Sequence, residues 1–402
     1  MKPLEGIRVL ELGSHFAAPM CGRILADWGA QVIKVESPAG DPYRVSFRNQ
    51  RTPQFEDGCP SFDLENANKE FMCIDAKTPE GQEVMLKLAA KCDVFLTNNR
   101  LNALKKMRVT YEDVKAVNPK IVYADMTGYG SRGPLKDKPG YDYTSFLSRS
   151  GMMADLSPKG ESVMSTIGGF GDHVAAITLA AGISAALVKA KTVGEGEYLT
   201  TSLYQDAIFL QCNGLILVQY GREFPRDHFD CNSPLLTCYK CKDGEWIYLA
   251  MPEYNRYWNK MCTEVFQQPE LAEDPRFVNM DAAKNHVAEG VAMLDAIFVT
   301  QDSSYWVERM EELDIPVERL AHYKDVVKDE QAWANDFLRE HTYAGGQKAV
   351  FSNTPVQFAS IPDAGFRIGR QIGADTTSIM EKLGYTPEEI QTLLQAGAVK
   401  QA

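Results

Sequence analysis

No stretch of the 402 residues approaches the roughly 18 uninterrupted apolar residues that cross a bilayer. The opening run MKPLEGIRVLELG has no apolar signal-peptide core and passes straight into a strand-like pattern. Basic residues are the minority, 42 Lys+Arg against 54 Asp+Glu, a net charge of −12. A chain of that sign is not expected to bind nucleic acid or a membrane surface, since both select basic fields. The glycine fingerprint G-x-G-x-x-G is missing after the first strand, where Gly13-Ser14-His15-Phe16-Ala17-Ala18-Pro19 stands instead. Its absence argues against nicotinamide or flavin chemistry, because a pyrophosphate needs close backbone approach at that turn. A Walker-type phosphate loop is also lacking, as are internal repeats and low-complexity segments. The nine cysteines are odd in number and scattered, so a disulfide scaffold is not expected and a reduced cytoplasmic setting is. Cys238 and Cys241 are spaced like half a zinc site, but only His228 and Cys231 lie near enough to complete it. They read as ordinary strand cysteines, and no metal is expected.

What is present is an alternation. Ile7–Leu12, Gln31–Glu36, Phe71–Asp75, Asp93–Thr97 and Ile121–Met126 read as strands. Helical spacing over Pro19–Trp28, and from Thr78-Pro79 to about Lys91, separates them, with Thr78 as N-cap and Pro79 at the first helical position. Strand–helix alternation predicts an α/β fold, a doubly wound, Rossmann-like parallel sheet. A buried helix from His173 to Ala190, a strand over Glu197–Ser202 and one helix over Tyr204–Gln219 follow. The aperiodic stretch 221–234 reads as a linker, and Lys242-Asp243-Gly244 as a hairpin turn. Amphipathic helices are expected over Asp325–Glu340 and Thr386–Leu394. Helical segments from Pro252 to about Leu313 suggest a smaller second domain.

Two features carry chemistry. Cations gather just past predicted strands: Arg100, Lys105, Lys106 and Arg108 after the fourth, with Lys34, Arg44 and Lys138 at or beyond others. Ligands of open α/β sheets collect at those carboxyl ends, so this is either a phosphate site or a solvated face. The segment Gly168-Gly169-Phe170-Gly171-Asp172-His173 places three glycines before an acid that opens a long apolar helix. Asp172 is either a plain N-cap after a glycine turn or a carboxylate held at a helix N-terminus for reaction, with Gly168, Gly169 and Gly171 offering amides to an oxyanion.

The runs Leu4–Leu12, Leu25–Glu36 and Gly40–Arg44, with Asn68-Lys69, Lys77–Gly81, Gly128-Tyr129-Gly130, Gly140-Tyr141-Asp142 and Gly171-Asp172, resemble the class III CoA-transferases over nearly the whole chain. Phe62–Lys69, Pro139–Thr144, Gly171-Asp172-His173 and Asp329–Asp336 resemble the branch acting on (R)-2-hydroxy acids, such as phenyllactate or 2-hydroxyisocaproate. The resemblance implies that Asp172 is a nucleophile passing through an acyl anhydride and an aspartyl-CoA thioester. It implies that His15, Phe16, Ala17, Arg44, Asn98, Ala103, Lys106 and Lys138 line the CoA, with Lys34 and Arg100 added from the charge pattern. Tyr141 and Asp142 fall in the substrate pocket, and Tyr141 stands where racemases of the superfamily carry His. The expected ligands are an acyl-CoA and a carboxylic acid, with no resident cofactor. The resemblance implies a large α/β domain of 1–220 and 321–402, with a linker at 221–234 and a small inserted α+β domain at 235–320. An interlocked homodimer is implied, amino-acid fermentation is the expected context, and a bile-acid or carnitine transferase or a 2-methylacyl-CoA racemase is the alternative.

Overall fold

The computed structural model describes residues 1–402. The chain divides into two compact units, one of residues 1–152, 166–212 and 330–402, the other of 153–165 and 213–329.

The larger unit is built on a seven-stranded sheet. Strands β1 (Arg8–Leu12), β2 (Gln31–Glu36), β3 (Glu70–Ile74), β4 (Val94–Thr97), β5 (Val122–Thr127) and β6 (Glu197–Ser202) are parallel. The order is 3-2-1-4-5-6, and a short C-terminal strand, Val399–Lys400, adds antiparallel to β3. β1 to β5 are almost entirely buried, as the apolar runs Val9-Leu10, Val32-Ile33 and Val94-Phe95-Leu96 require of a sheet covered on both faces. Helices α1 (Ala17–Asp27), α2 (Pro60–Asn66), α3 (Pro79–Ala89), α4 (Leu101–Met107) and α5 (Tyr111–Val117) lie in the connections. Thr78 caps α3, accepting the Gly81 N–H at 3.0 Å, with Pro79 at the first position as expected.

The long helix is α6 (Phe170–Val193), 24 residues with a mean hydropathy of 1.6 in its most apolar window. By length and composition alone it could cross a membrane, which the sequence reading missed because polar residues interrupt the run. Here it packs along α1, β5 and β6 through Ala175, Leu179, Ile183 and Leu187. It is not the wholly buried helix the sequence suggests: Ile177, Val188 and Val193 stay exposed. The single helix expected over 204–219 is two, α7 (Leu203–Leu210) and α8 (Cys212–Gln219), and Leu215 to Val218 are exposed on the second. Likewise 325–340 is not one helix. Two short turns, Tyr323–Val326 and Glu330–Ala334, end at Asp336, whose φ of +54° lies in the left-handed region. The chain then enters a hairpin, Leu338–Thr342 against Lys348–Ser352. The helix Pro387–Gln395 forms as expected, with Thr386 and Glu389 in a reciprocal capping box.

The smaller unit has a three-stranded antiparallel sheet, β7 (Cys238–Lys240), β8 (Trp246–Leu249) and β9 (Val317–Arg319), in that order. Gly244 takes φ +84° in the β7–β8 turn, the conformation that the Asp-Gly pair predicts. Tyr239, Trp258, Phe277, Phe298 and Trp306 form its core. Cys238 and Cys241 are free thiols there, and no cluster of three or more His, Cys, Asp or Glu is arranged to hold a metal.

Candidate active site

The sheet reverses direction at β1: the chain goes outward to β2 and β3, then returns to β4 on the other side. A crevice is expected at the carboxyl ends of β1 and β4. A cavity of about 590 Å³ lies there, walled by the loops after β1, β4 and β5 and by the start of α6. His15, Phe16, Ala17, Asn98, Arg100, Ala103, Lys138, Tyr141, Asp142, Gly168, Gly169 and Asp172 all line it.

The β1 loop is held rigidly. Asn98 accepts the Ser14 N–H through Oδ1 at 3.1 Å and donates Nδ2–H to the Ser14 carbonyl at 2.9 Å. Its amide therefore positions the loop rather than standing free for a ligand. His15 adopts φ +65°, and Asp41 accepts its N–H at 3.2 Å. Phe16 packs on Tyr43, with ring centroids 4.5 Å apart.

At the start of α6 two carboxylates meet. Asp142 opens a π-helical turn, Asp142–Ser148, and accepts the Gly169 and Gly171 N–H groups at 2.9 Å each. These are orphan amides of a helix N-terminus, and Asp142 caps them. Two of the amides expected to serve an oxyanion are thus already committed. Gly169 needs its glycine, since it sits at φ +94° and a Cβ would lie 3.0 Å from Phe16. Gly171 is sealed from the cavity, because a Cβ there would meet the Phe146 ring at 2.2 Å and Asp142 Oδ1 at 2.6 Å. It is a packing glycine and not part of the lining.

Asp172, half-buried in the first turn of α6, makes no hydrogen bond through its carboxylate to the rest of the chain. Burial first, and then the charges of Asp142 and Glu65, push its pKa up to about 7, while His173 pulls the other way. His173 Nε2 lies 2.9 Å from Glu65 Oε1, and Glu65 is fully buried on α2. Burial also raises the Asp142 pKa, opposed by its amide hydrogen bonds.

Three expected positions lie elsewhere. Lys34 is completely enclosed, its ammonium 2.9 Å from Asp41, 3.1 Å from Glu11 and 3.1 Å from the Gly13 carbonyl. It cannot reach a ligand, and it fastens the β1 loop from beneath. Arg44 forks onto Glu36, at 2.7 and 2.6 Å, and covers the Phe62 ring at 4.2 Å, beside a different cavity. Lys106 is exposed on α4, outside the lining. Tyr143 of the Pro139–Thr144 run lines the cavity, as do Ser14, Asn99, Thr127, Lys136 and Tyr198, which had not been singled out. Lys136 was accessible to the argument that found Lys138, two residues later in the same post-strand loop. Glu65 was not, since nothing local ties it to a residue 108 positions away.

Comparison with known proteins agrees with this architecture. The family described as CoA-transferase family III matches residues 4–376. The chain is 41% identical over 397 residues to the (R)-2-hydroxy-4-methylpentanoate CoA-transferase of Clostridioides difficile, covering 99% of both. It is 36% identical over 399 residues to the cinnamoyl-CoA:phenyllactate CoA-transferase of Clostridium sporogenes, covering 97% of this chain and 95% of that one. The crystal structure of a CaiB/BaiF family protein from Brucella suis superposes with a TM-score of 0.80 at 25% identity, covering 95% of this chain and 99% of the other. A crevice at the sheet's reversal point and matches of this extent lead to one assignment: the chain belongs to CoA-transferase family III and is a CoA-transferase.

Proposed function

We propose that the enzyme moves CoA between an acyl-CoA and an (R)-2-hydroxy acid with an apolar side chain, using Asp172 as a covalent nucleophile. The observation that carries this reading is the Asp172 carboxylate itself: it lines the cavity from a helix N-terminus, free of hydrogen bonds, with its pKa raised by burial and by the charges of Asp142 and Glu65. A structural acid would be satisfied like its neighbour Asp142; this one keeps its lone pairs for a reaction partner.

An Asp172 oxygen attacks the donor thioester carbon, the C–S bond breaks, and CoA leaves as thiolate with an acyl–aspartyl anhydride behind it. The thiolate then attacks the Asp172 carbonyl, releasing the donor acid as carboxylate and leaving an aspartyl-CoA thioester. The acceptor carboxylate attacks that thioester, forming a second anhydride and thiolate again. Attack of the thiolate on the acceptor's acyl carbon gives the new CoA ester and restores the Asp172 carboxylate. No proton is gained or lost over the cycle. Dividing the exchange into such steps lowers each barrier, provided water is kept from the anhydride. Arg100, Lys136 and Lys138 at the rim suit the phosphates of CoA, and Phe16, Tyr141 and Tyr143 suit an aromatic or branched acid side chain. His15 is the donor proposed for the acid's carboxylate. An interlocked homodimer in the cytoplasm of an amino-acid-fermenting cell belongs to the same reading.

The test is a CoA-exchange screen with isocaproyl-, cinnamoyl-, butyryl- and acetyl-CoA donors against 2-hydroxy acids. A kcat/KM at least tenfold higher for 2-hydroxyisocaproate or phenyllactate than for lactate is expected, since burying one such side chain is worth about 1.5–3 kcal/mol. Preference for lactate or oxalate would overturn the substrate assignment.

A further inference from the structure

We propose that His173 and Glu65 form a positioning pair behind the nucleophile, in which the imidazolium offsets the negative field that Asp142 and Glu65 impose on Asp172. This rests on Asp172 being the nucleophile.

Three carboxylates and one imidazole converge on the first turn of α6. Asp142 is fixed by the Gly169 and Gly171 amides, and Asp172 follows in the same turn. Glu65 comes from α2, wholly buried, with His173 as its one hydrogen-bond partner; its Oε2 has none. The other charged groups around it are committed. Arg23 of α1 donates to the Leu64 and Ser352 carbonyls at 2.7 Å each. Lys69, next to β3, is 2.7 Å from Glu11. Tyr43, on the turn Pro42–Val45, donates nothing to Glu65 and instead accepts from Gln50 Nε2. His15 sits beside Tyr43, ring centroids 6.5 Å apart, with its Nδ1 3.2 Å from Ser14 Oγ. A buried carboxylate so placed requires a cation. Arg23 and Lys69 act on Glu65 through their charge alone, and His173 is the one cation hydrogen-bonded to it.

The arrangement runs against local preference. A cation in the first turn of a helix opposes the helix dipole, so His173 gains nothing from its own helix by charging. Burial disfavours its charged form too, yet the Glu65 hydrogen bond and charge outweigh this and raise its pKa. Phe16 meets the ring edge-on with centroids 6.1 Å apart, holding it against Glu65 and out of the cavity lining. His173 therefore touches no substrate. Its effect passes through Asp172: with a neutral side chain in its place, Glu65 would lose the one cation hydrogen-bonded to it, and Asp172 would ionise less readily.

The test is the pH dependence of kcat/KM with isocaproyl-CoA, combined with hydroxylamine trapping at Asp172. His173→Gln should move the acid limb up by about one pH unit, the effect of losing one nearby opposite charge. The double variant Glu65→Gln, His173→Gln removes both charges and should bring the limb back to within about 0.3 unit of wild type. An unmoved limb in the single variant, or no recovery in the double, would overturn the pair's role, since lost packing is not repaired by a second substitution. Should the single variant not fold, NMR titration of the His173 ring decides. Its midpoint in the wild type should lie above the ordinary 6.5 and should fall in Asp172→Asn; a midpoint that does not move overturns the coupling. If wild-type enzyme gives no hydroxylamine adduct at Asp172, it is the nucleophile assignment that fails instead.

Discussion

The carboxyl edge of the large sheet is built in two different ways on the two sides of β1. Toward β2 and β3 its charges are turned inward and paired: Lys34 with Glu11 and Asp41, Lys69 with Glu11, Arg44 with Glu36. Toward β4 and β5 the cations Arg100, Lys136 and Lys138 stand exposed around the cavity, and the carboxylate of Asp172 is left unbonded. The same residue types thus hold a loop on one side and line an open cavity on the other. Compensation separates the two halves: on the paired side each cation meets a carboxylate on a neighbouring strand or loop, and nothing in the residue type itself announces that partner.

The sharpest way to break this comparison is at Asp172. Asp172→Ala or Asp172→Asn should lower turnover by at least about a thousandfold, as loss of a covalent nucleophile does. CoA-ester binding measured by calorimetry should be nearly unchanged, because the rim cations remain. Residual turnover above about 1% of wild type would exclude the anhydride route. In the wild type, kcat/KM should fall with decreasing pH through about 7, where the carboxylate takes up a proton and stops being a nucleophile.

On the β2 side the expected loss is of folding. Lys34→Met would leave Asp41 without its cation and Glu11 with Lys69 alone, and breaking a buried pair in this way costs about 3–5 kcal/mol. Urea unfolding should show it, while the folded fraction keeps its KM for acyl-CoA within about twofold. A large rise in KM with unchanged stability would mean that Lys34 reaches the ligand after all.

Asp172 also predicts a stability change of opposite sign. Its folded-state pKa of about 7 lies above the ordinary 3.8, so the folded protein holds this proton more tightly than the unfolded chain. The stability this group contributes is present below about pH 4 and lost as pH rises to about 7. Asp172→Asn should therefore match the wild type at pH 4 and exceed it at pH 8, by the order of 2–4 kcal/mol. An inactive variant more stable than its parent would mark the strain that the site retains for reactivity.

These differences explain what the sequence disclosed. Alternating apolar runs placed β1 to β6, and the Thr78-Pro79 and Thr386-Pro387 caps placed two helix starts, because those signals are local. The Gly-Gly-Phe-Gly-Asp segment led to Asp172 for the same reason. Lys34 and Arg44 were misplaced because a lysine at a strand end looks alike whether Glu11 and Asp41 wait beside it or solvent does. Glu65 passed unnoticed on a seven-residue helix whose importance comes from α6. The helix expected over 325–340 breaks between Val326 and Glu330 and ends before Asp336, a left-handed residue after which the chain enters a hairpin that only pairing with 348–352 stabilises.

The smallest effects separate cations at the rim from cations beyond it. Arg100→Ala and Lys138→Ala should each raise the KM for acyl-CoA several-fold at low salt, at about 1 kcal/mol apiece, and less at 0.5 M salt because exposed charges are screened. Lys106→Ala is the control within the same helix-and-loop segment. Lys106 shares its charge and exposure with Arg100, but its side chain is not part of the cavity wall; in that region α4 contributes Leu101 and Ala103. Beyond the hydrogen bonds of its own helix, its backbone carbonyl accepts from Gln82 Nε2 at 3.3 Å, and alanine would preserve both. Screened by water and ions, an exposed ammonium off the cavity wall should change KM by less than about twofold and unfolding free energy by less than about 0.5 kcal/mol. A tenfold rise in KM for Lys106→Ala, with Arg100→Ala silent, would move the phosphate end of the ligand out of the loop after β4 and along the outer face of α4.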